Sequence, residues 1–229
     1  MMNDEYMRQF YLLGQSNYAV SVILDTLLEQ FPGEQVRVEI VPNLEPEKND
    51  SRIWPFETPG VETSVVWWEN WQPASGIPCL PGSIGRSRRA IVQFFAEKFG
   101  IHPDRYANTI HPSAVVPVTT RLGRGIHISP GVVVAPHAGL GDFVVLNRSC
   151  SIGHHTELDD FVSINPGVTV SGVCRIGRGV TIGSGATVLD QISIGEGSVI
   201  GAGSVVTKNI PAGVVAYGVP AKVVREIEV

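Results

Sequence analysis

From Ile110 onward every sixth residue is Leu, Ile or Val: Ile110, Val116, Leu122, Ile128, Val134, Leu140, Leu146, Ile152, Leu158, Ile164, Val170, Ile176, Ile182, Val188, Ile194, Ile200 and Val206. The phase is unbroken through seventeen hexads, 102 residues. Four places after the anchors stand small or β-branched residues such as Ala114, Val132, Val168, Ala186 and Ser198, and glycine often follows the anchor directly. A period of six excludes an amphipathic α-helix, whose apolar face recurs every 3.6 residues. It suits short strands joined by tight turns, with glycine where the backbone needs unusual dihedrals. A lone hexad cannot bury its anchor, so the hexads must stack into a solenoid.

Composition follows this division of the chain. Of the 17 aromatic residues, 14 fall between Tyr6 and Tyr106, whereas the repeat holds 16 of the 25 glycines and one lysine. The expected organisation is a first domain over 1–109, a repeat domain over 110–211 and a tail over 212–229. A charged fraction of 17% and a net charge of −5 argue against nucleic-acid strands as partners. No apolar run reaches the ~18 residues of a membrane helix, and the acidic start lacks the pattern of a secretory leader. Three cysteines, an odd number with no CxxC, predict a reduced, cytoplasmic protein. Cys150 and Cys174 lie at the fourth place after an anchor, which predicts burial in the core without a disulfide between them.

Ahead of the repeat, Phe10–Leu13 reads as a strand, followed by Gly14-Gln15-Ser16-Asn17 and a helix with Val20, Ile23, Leu24, Leu27 and Leu28 on one face. Val36–Val41 reads as a second strand, giving a Rossmann-like β/α unit whose loop and helix start can take phosphate or ribose. A plain tight turn would look the same. Residues 42–62 read as a long loop, Val65–Trp68 and Ile77–Leu80 as strands, and Trp71 as a core plug. Arg86, Arg88 and Arg89 open a helix beside a glycine loop, either to hold a pyrophosphate or as a solvated face.

The hexad pattern resembles that of left-handed parallel β-helices, in which three hexads make one triangular coil and residues 18 apart stack. The endings GAGSVVTKNIPAG (201–213) and YGVPAKVVREI (217–227) resemble the hexapeptide-repeat acetyltransferases. With the preceding β/α domain, and with the stretch from Ser151 to Val168, SIGHHTELDDFVSINPGV, the chain resembles the family of sialic acid O-acetyltransferases and UDP-4-amino-sugar N-acetyltransferases. The resemblance implies a mainly β protein: a left-handed β-helix preceded by a small Rossmann-like domain. It implies transfer of acetyl from acetyl-CoA to a nucleotide-linked amino sugar, in a homotrimer with its active sites between subunits. It places the general base at His154, beside His155. It places CoA contacts at Ser163, Gly172, Ser184, Ala202 and Lys222, and nucleotide-sugar contacts at Ser16, Asn17, Tyr18 and Arg88.

The chain departs from the family at four places. His155 stands where a Glu or Asp usually follows the base, and Ser163 stands for a histidine near the CoA arm. Asn17-Tyr18 replaces a Gly-His, and Pro42-Asn43 replaces an acidic pair. By the stacking rule, His155 should lie one coil above His137. Zinc is not expected, because the outward histidines His127, His137, His154 and His155 show no HxxxxH pair of the carbonic anhydrase type. Two other readings stay open: O-acetylation of a sugar hydroxyl, and a non-catalytic trimer that binds a nucleotide sugar.

Overall fold

A computed structural model describes residues 7–44 and 58–227, and the chain divides between Ile110 and His111 into two compact units. In the first, β1 (Met7–Leu13), α1 (Asn17–Gln30), β2 (Gln35–Val41), β3 (Val61–Val65), β4 (Cys79–Pro81) and α2 (Arg88–Phe99) follow in order. The four strands form a parallel sheet in the order β3-β2-β1-β4. Alternation along β1 separates two cores. Phe10 and Leu12 join Val20, Ile23, Leu24 and Leu27 of α1 in one apolar cluster. Tyr11 points the other way, edge-on to Trp71 at 4.9 Å, and Trp71 meets Phe95 of α2 at 5.8 Å. Trp71 is buried, as a core plug should be.

The third strand differs from the sequence expectation. Val61–Val65 pairs with β2, while Trp68–Asn70 is a single 3-10 turn in which Trp68 packs edge-on against Phe94 of α2. Trp68 serves as a packing group while Val65 and Trp67 stay exposed, and the edge strand itself is polar and largely exposed, tied by the Arg37–Glu62 ion pair at 3.0 Å. Of the loop expected over 42–62, residues 45–57 lie outside the described residues, and 61–62 belong to β3.

The second unit is a three-sided parallel coil, the architecture of a left-handed β-helix. Face one stacks His127–Ile128, Val145–Leu146, Ser163–Ile164, Thr181–Ile182 and Val199–Ile200. Face two stacks Val133–Val134, Ser151–Ile152, Thr169–Val170, Thr187–Val188 and Val205–Val206. Face three stacks Arg121–Leu122, Gly139–Leu140, Glu157–Leu158, Arg175–Ile176 and Ser193–Ile194. Partners are 18 residues apart throughout, so each coil lies about 4.8 Å above the last.

Anchors from Ile128 to Val206 are buried, with the residues four places on, including Cys150, Thr156, Cys174, Ser198 and Ser204. Their polar atoms are satisfied locally: Thr156 Oγ1 donates to the Ser171 carbonyl at 2.9 Å, and Ser198 Oγ to that of Pro211 at 2.7 Å. Leu122 and Val116, the anchors of the first coil, are only partly covered. An end coil has a neighbour on one side only. Deeper in, Ile182→Ala should remove about 2–5 kcal/mol, since a fully buried anchor leaves a cavity between two coils. The check is a fall in the denaturation midpoint of this unit.

Candidate active site

Each coil turns three times, and from Gly125 to Gly203 each turn holds a residue in the left-handed region. Between faces one and two glycine supplies it at Gly131, Gly167, Gly185 and Gly203, and Ser149 (φ 57°) takes it in the remaining coil. Between faces two and three the residues are His137 (φ 64°), His155 (φ 56°), Val173 (φ 60°) and Gln191 (φ 61°), none of them glycine. For L-residues that conformation costs roughly 1–2 kcal/mol each. The conformation recurs at Phe143 (φ 59°) and Phe161 (φ 60°) between faces three and one, so what sets this edge apart is that no glycine shares it. Backbone bonds between coils hold the edge: His155 N–H donates to the Pro136 carbonyl, Val173 to His154 and Gln191 to Gly172.

His154 and His155 project from this edge and are exposed. The Nδ1 atoms of the two rings are 3.2 Å apart, with the rings nearly perpendicular at 82°. His155 stacks over His137 with ring centres 5.0 Å apart and planes tilted by 34°, as the 18-residue rule requires. Gly172, one coil above His154, has no side chain, and the His154 ring occupies the room left over it. A Cβ there would come within 2.8 Å of His154 Cε1 and Nε2. The Gly172 amide donates to Asp190 Oδ1 at 2.9 Å, so this N–H is already engaged and could hold a developing oxyanion only if the carboxylate moved. Asp190 escaped sequence reasoning, although counting 18 residues on from Gly172 finds it.

The other expected cofactor residues are spread over the coil. Ser184 and Ala202 stack one above the other, exposed, on the edge between faces one and two. Ser163 lies on face one and is 9% exposed, so the single chain does not bring it to His154. Lys222 is exposed on the terminal strand Ala221–Glu226, opposite Tyr217.

In the first unit two glycine loops meet at the carboxyl ends of β1 and β4, where the strand order changes direction. Gly82 N–H donates to the Leu13 carbonyl at 2.7 Å and Ser16 N–H to that of Gly82 at 2.9 Å. A side chain on Gly82 would collide with the Gly14 carbonyl. Ser16 precedes α1 and its carbonyl accepts from Ala19 and Val20, Asn17 opens the helix, and Tyr18 is 56% exposed.

Arg88 behaves otherwise than a phosphate grip on the surface. It is 2% exposed, and its Nη1 donates to the carbonyls of Ile84 and Gly85 at 3.0 and 3.1 Å. Burial lowers its pKa to about 10, which still leaves it charged near neutral pH. The arginine therefore braces the second loop from inside. Ser83, not foreseen from the sequence, completes that brace: Gly85 N–H donates to its hydroxyl, which lies 2.8 Å from that of Ser87.

Burial pushes the thiol of Cys79 up to about 11, that of Cys150 to about 12, and that of Cys174 upward as well. All three are free, and they stay protonated and out of nucleophilic chemistry. Among the described residues no group of three or more His, Cys, Asp or Glu could hold a metal ion, and no helix is long and apolar enough to cross a membrane.

Residues 173–208 match the family model for bacterial transferase hexapeptides (six repeats). No curated protein matches the sequence. Among solved structures, the acetyltransferase domain of PglB from Neisseria gonorrhoeae FA1090, in complex with acetyl coenzyme A, is 27% identical over 95% of this chain and 99% of its own, with a TM-score of 0.73. Perosamine N-acetyltransferase from Caulobacter crescentus, in complex with CoA and GDP-perosamine, is 24% identical over 96% and 97%, with a TM-score of 0.74. WeeI from Acinetobacter baumannii AYE is 22% identical over 95% and 100%, also at 0.74. The repeat is thus of the hexapeptide type, and the chain is similar along almost its whole length to the acetyltransferase domain of PglB.

Proposed function

We propose that this protein transfers acetyl from acetyl-CoA to the amino group of a nucleotide-linked amino sugar, with His154 as general base. The observation that carries the reading is the exposed imidazole of His154, seated over the side-chain-free Gly172. It stands in a chain similar along almost its whole length to acetyltransferases that bind acetyl-CoA, or CoA with a GDP-amino sugar. The neutral amine attacks the thioester carbonyl, and the nitrogen loses its proton to His154 Nε2. The tetrahedral intermediate then expels the CoA thiolate, and His154 returns the proton to it. No covalent enzyme intermediate is needed, which accords with three buried, protonated cysteines.

The nucleotide is assigned to the paired glycine loops of the first unit, at Ser16, Asn17 and Tyr18, with Arg88 bracing the loop before α2. Ser163, Gly172, Ser184, Ala202 and Lys222 are assigned to CoA. Their spread over two edges and a face of one chain fits a cofactor that lies between neighbouring copies, in a homotrimer. The product belongs to cytoplasmic precursor synthesis for a surface glycan.

The test mixes purified protein with acetyl-CoA and a panel of UDP-, dTDP- and GDP-amino sugars, alongside their hydroxyl analogues, and follows free thiol. Release is expected with at least one amino sugar and with no hydroxyl analogue. Nucleotide-sugar binding without thiol release would replace this reading by a non-catalytic binder, and release with hydroxyl analogues alone would replace it by O-acetylation.

A further inference from the structure

We infer that His155 is a positioning residue: its neutral ring accepts a hydrogen bond at Nδ1 from Nδ1–H of His154 and thereby fixes Nε2 of His154 as the atom that takes the substrate proton. The inference rests on His154 being the base. Two Nδ1 atoms 3.2 Å apart can share only one hydrogen, so one must donate and the other accept. If His155 donated, the neutral His154 would carry its proton on Nε2 and would be useless as a base there. With His154 donating, His155 carries its own proton on Nε2, away from the shared bond.

The usual device for this task is a carboxylate, which fixes the tautomer and also supplies negative charge. Here the acceptor is uncharged, so orientation must come from elsewhere. The stack on His137, at 5.0 Å, restricts the His155 ring, and the backbone bond from His155 N–H to the Pro136 carbonyl ties its main chain to the coil below. His137 is itself tied one coil further down, its N–H donating to Thr119 Oγ1 at 3.2 Å. The base is thus oriented by a column of ring and backbone contacts that crosses three coils.

Nitrogen-15 NMR of the histidine side chains tests this without any substrate, and the chain holds only six histidines. At slightly alkaline pH, His154 should be the Nδ1–H tautomer and His155 the Nε2–H tautomer; the reverse pairing overturns the proposal. This readout stands even if no acceptor is ever turned over, so it separates a failure of the tautomer assignment from a failure of the proposed activity. Two variants supply a kinetic arm. His155→Asn keeps an acceptor and suits φ 56°, whereas His155→Phe keeps a ring to stack but offers no acceptor. The phenylalanine variant should lose roughly tenfold to hundredfold in kcat, less than the ~10²–10⁴ of the base itself, with KM for acetyl-CoA unchanged. The asparagine variant should stay within a few-fold of the parent. Equal losses in both variants, or no loss in either, would overturn the assignment.

Discussion

His154→Ala should lower kcat by about 10²–10⁴-fold, the usual contribution of a general base, while the fold and KM for acetyl-CoA stay as they are. The side chain is exposed and fills no core space, so its removal leaves the stacked anchors untouched. Its backbone carbonyl, which accepts from Val173 N–H, is kept in the variant. Thiol release under saturating substrates measures the effect, with circular dichroism and thermal unfolding as the fold control. A variant that turns over within threefold of the parent would remove His154 from the mechanism.

Gly172→Ala is the second large effect and the more discriminating one. Gly172 does not adopt a left-handed φ, so alanine meets no backbone penalty there. The added methyl would instead lie within 2.8 Å of Cε1 and Nε2 of His154 and push the ring aside. A displacement of about 1 Å at a reacting group can cost 10²-fold, and a loss of roughly that size in kcat is expected with an unchanged unfolding midpoint. Because the methyl acts through the imidazole, the two substitutions should not add: in the His154→Ala background, Gly172→Ala should change nothing further. Additive losses would mean that Gly172 touches the reaction by some route other than His154.

The legibility of this chain depended on where a residue's role follows from the repeat. A period of six fixed the anchors, the inward residues four places on and the stack of His155 over His137, because coil geometry leaves a side chain one place to go. The same rule would have placed Asp190 over Gly172. Where the repeat is silent, composition misdirected. Trp67 and Trp68 resembled a strand because they are bulky and apolar, yet Trp68 packs from a turn with Trp67 exposed ahead of it, and the true edge strand, VETSV, has the polarity of a loop. Arg88 looked like a surface cation, because nothing in a run of arginines tells which one turns inward to cap carbonyls. Ser163 matched a motif position, but its exposure depends on face and neighbours, which the motif does not record.

The interchangeability of the anchors has a consequence for how the coil finds its register. Leu, Ile and Val succeed one another at equivalent heights, so the core alone barely distinguishes a chain threaded correctly from one slipped by a whole 18-residue turn. The exceptions to the repeat break that degeneracy. The Phe143–Phe161 stack, the paired imidazoles of His137 and His155, and the aspartates at 142 and 160, which cap amides one coil below, each fit one alignment only. The irregular residues thus act as alignment marks as well as chemical groups, and the edge that carries the histidines is one of the places where the chain counts its own turns.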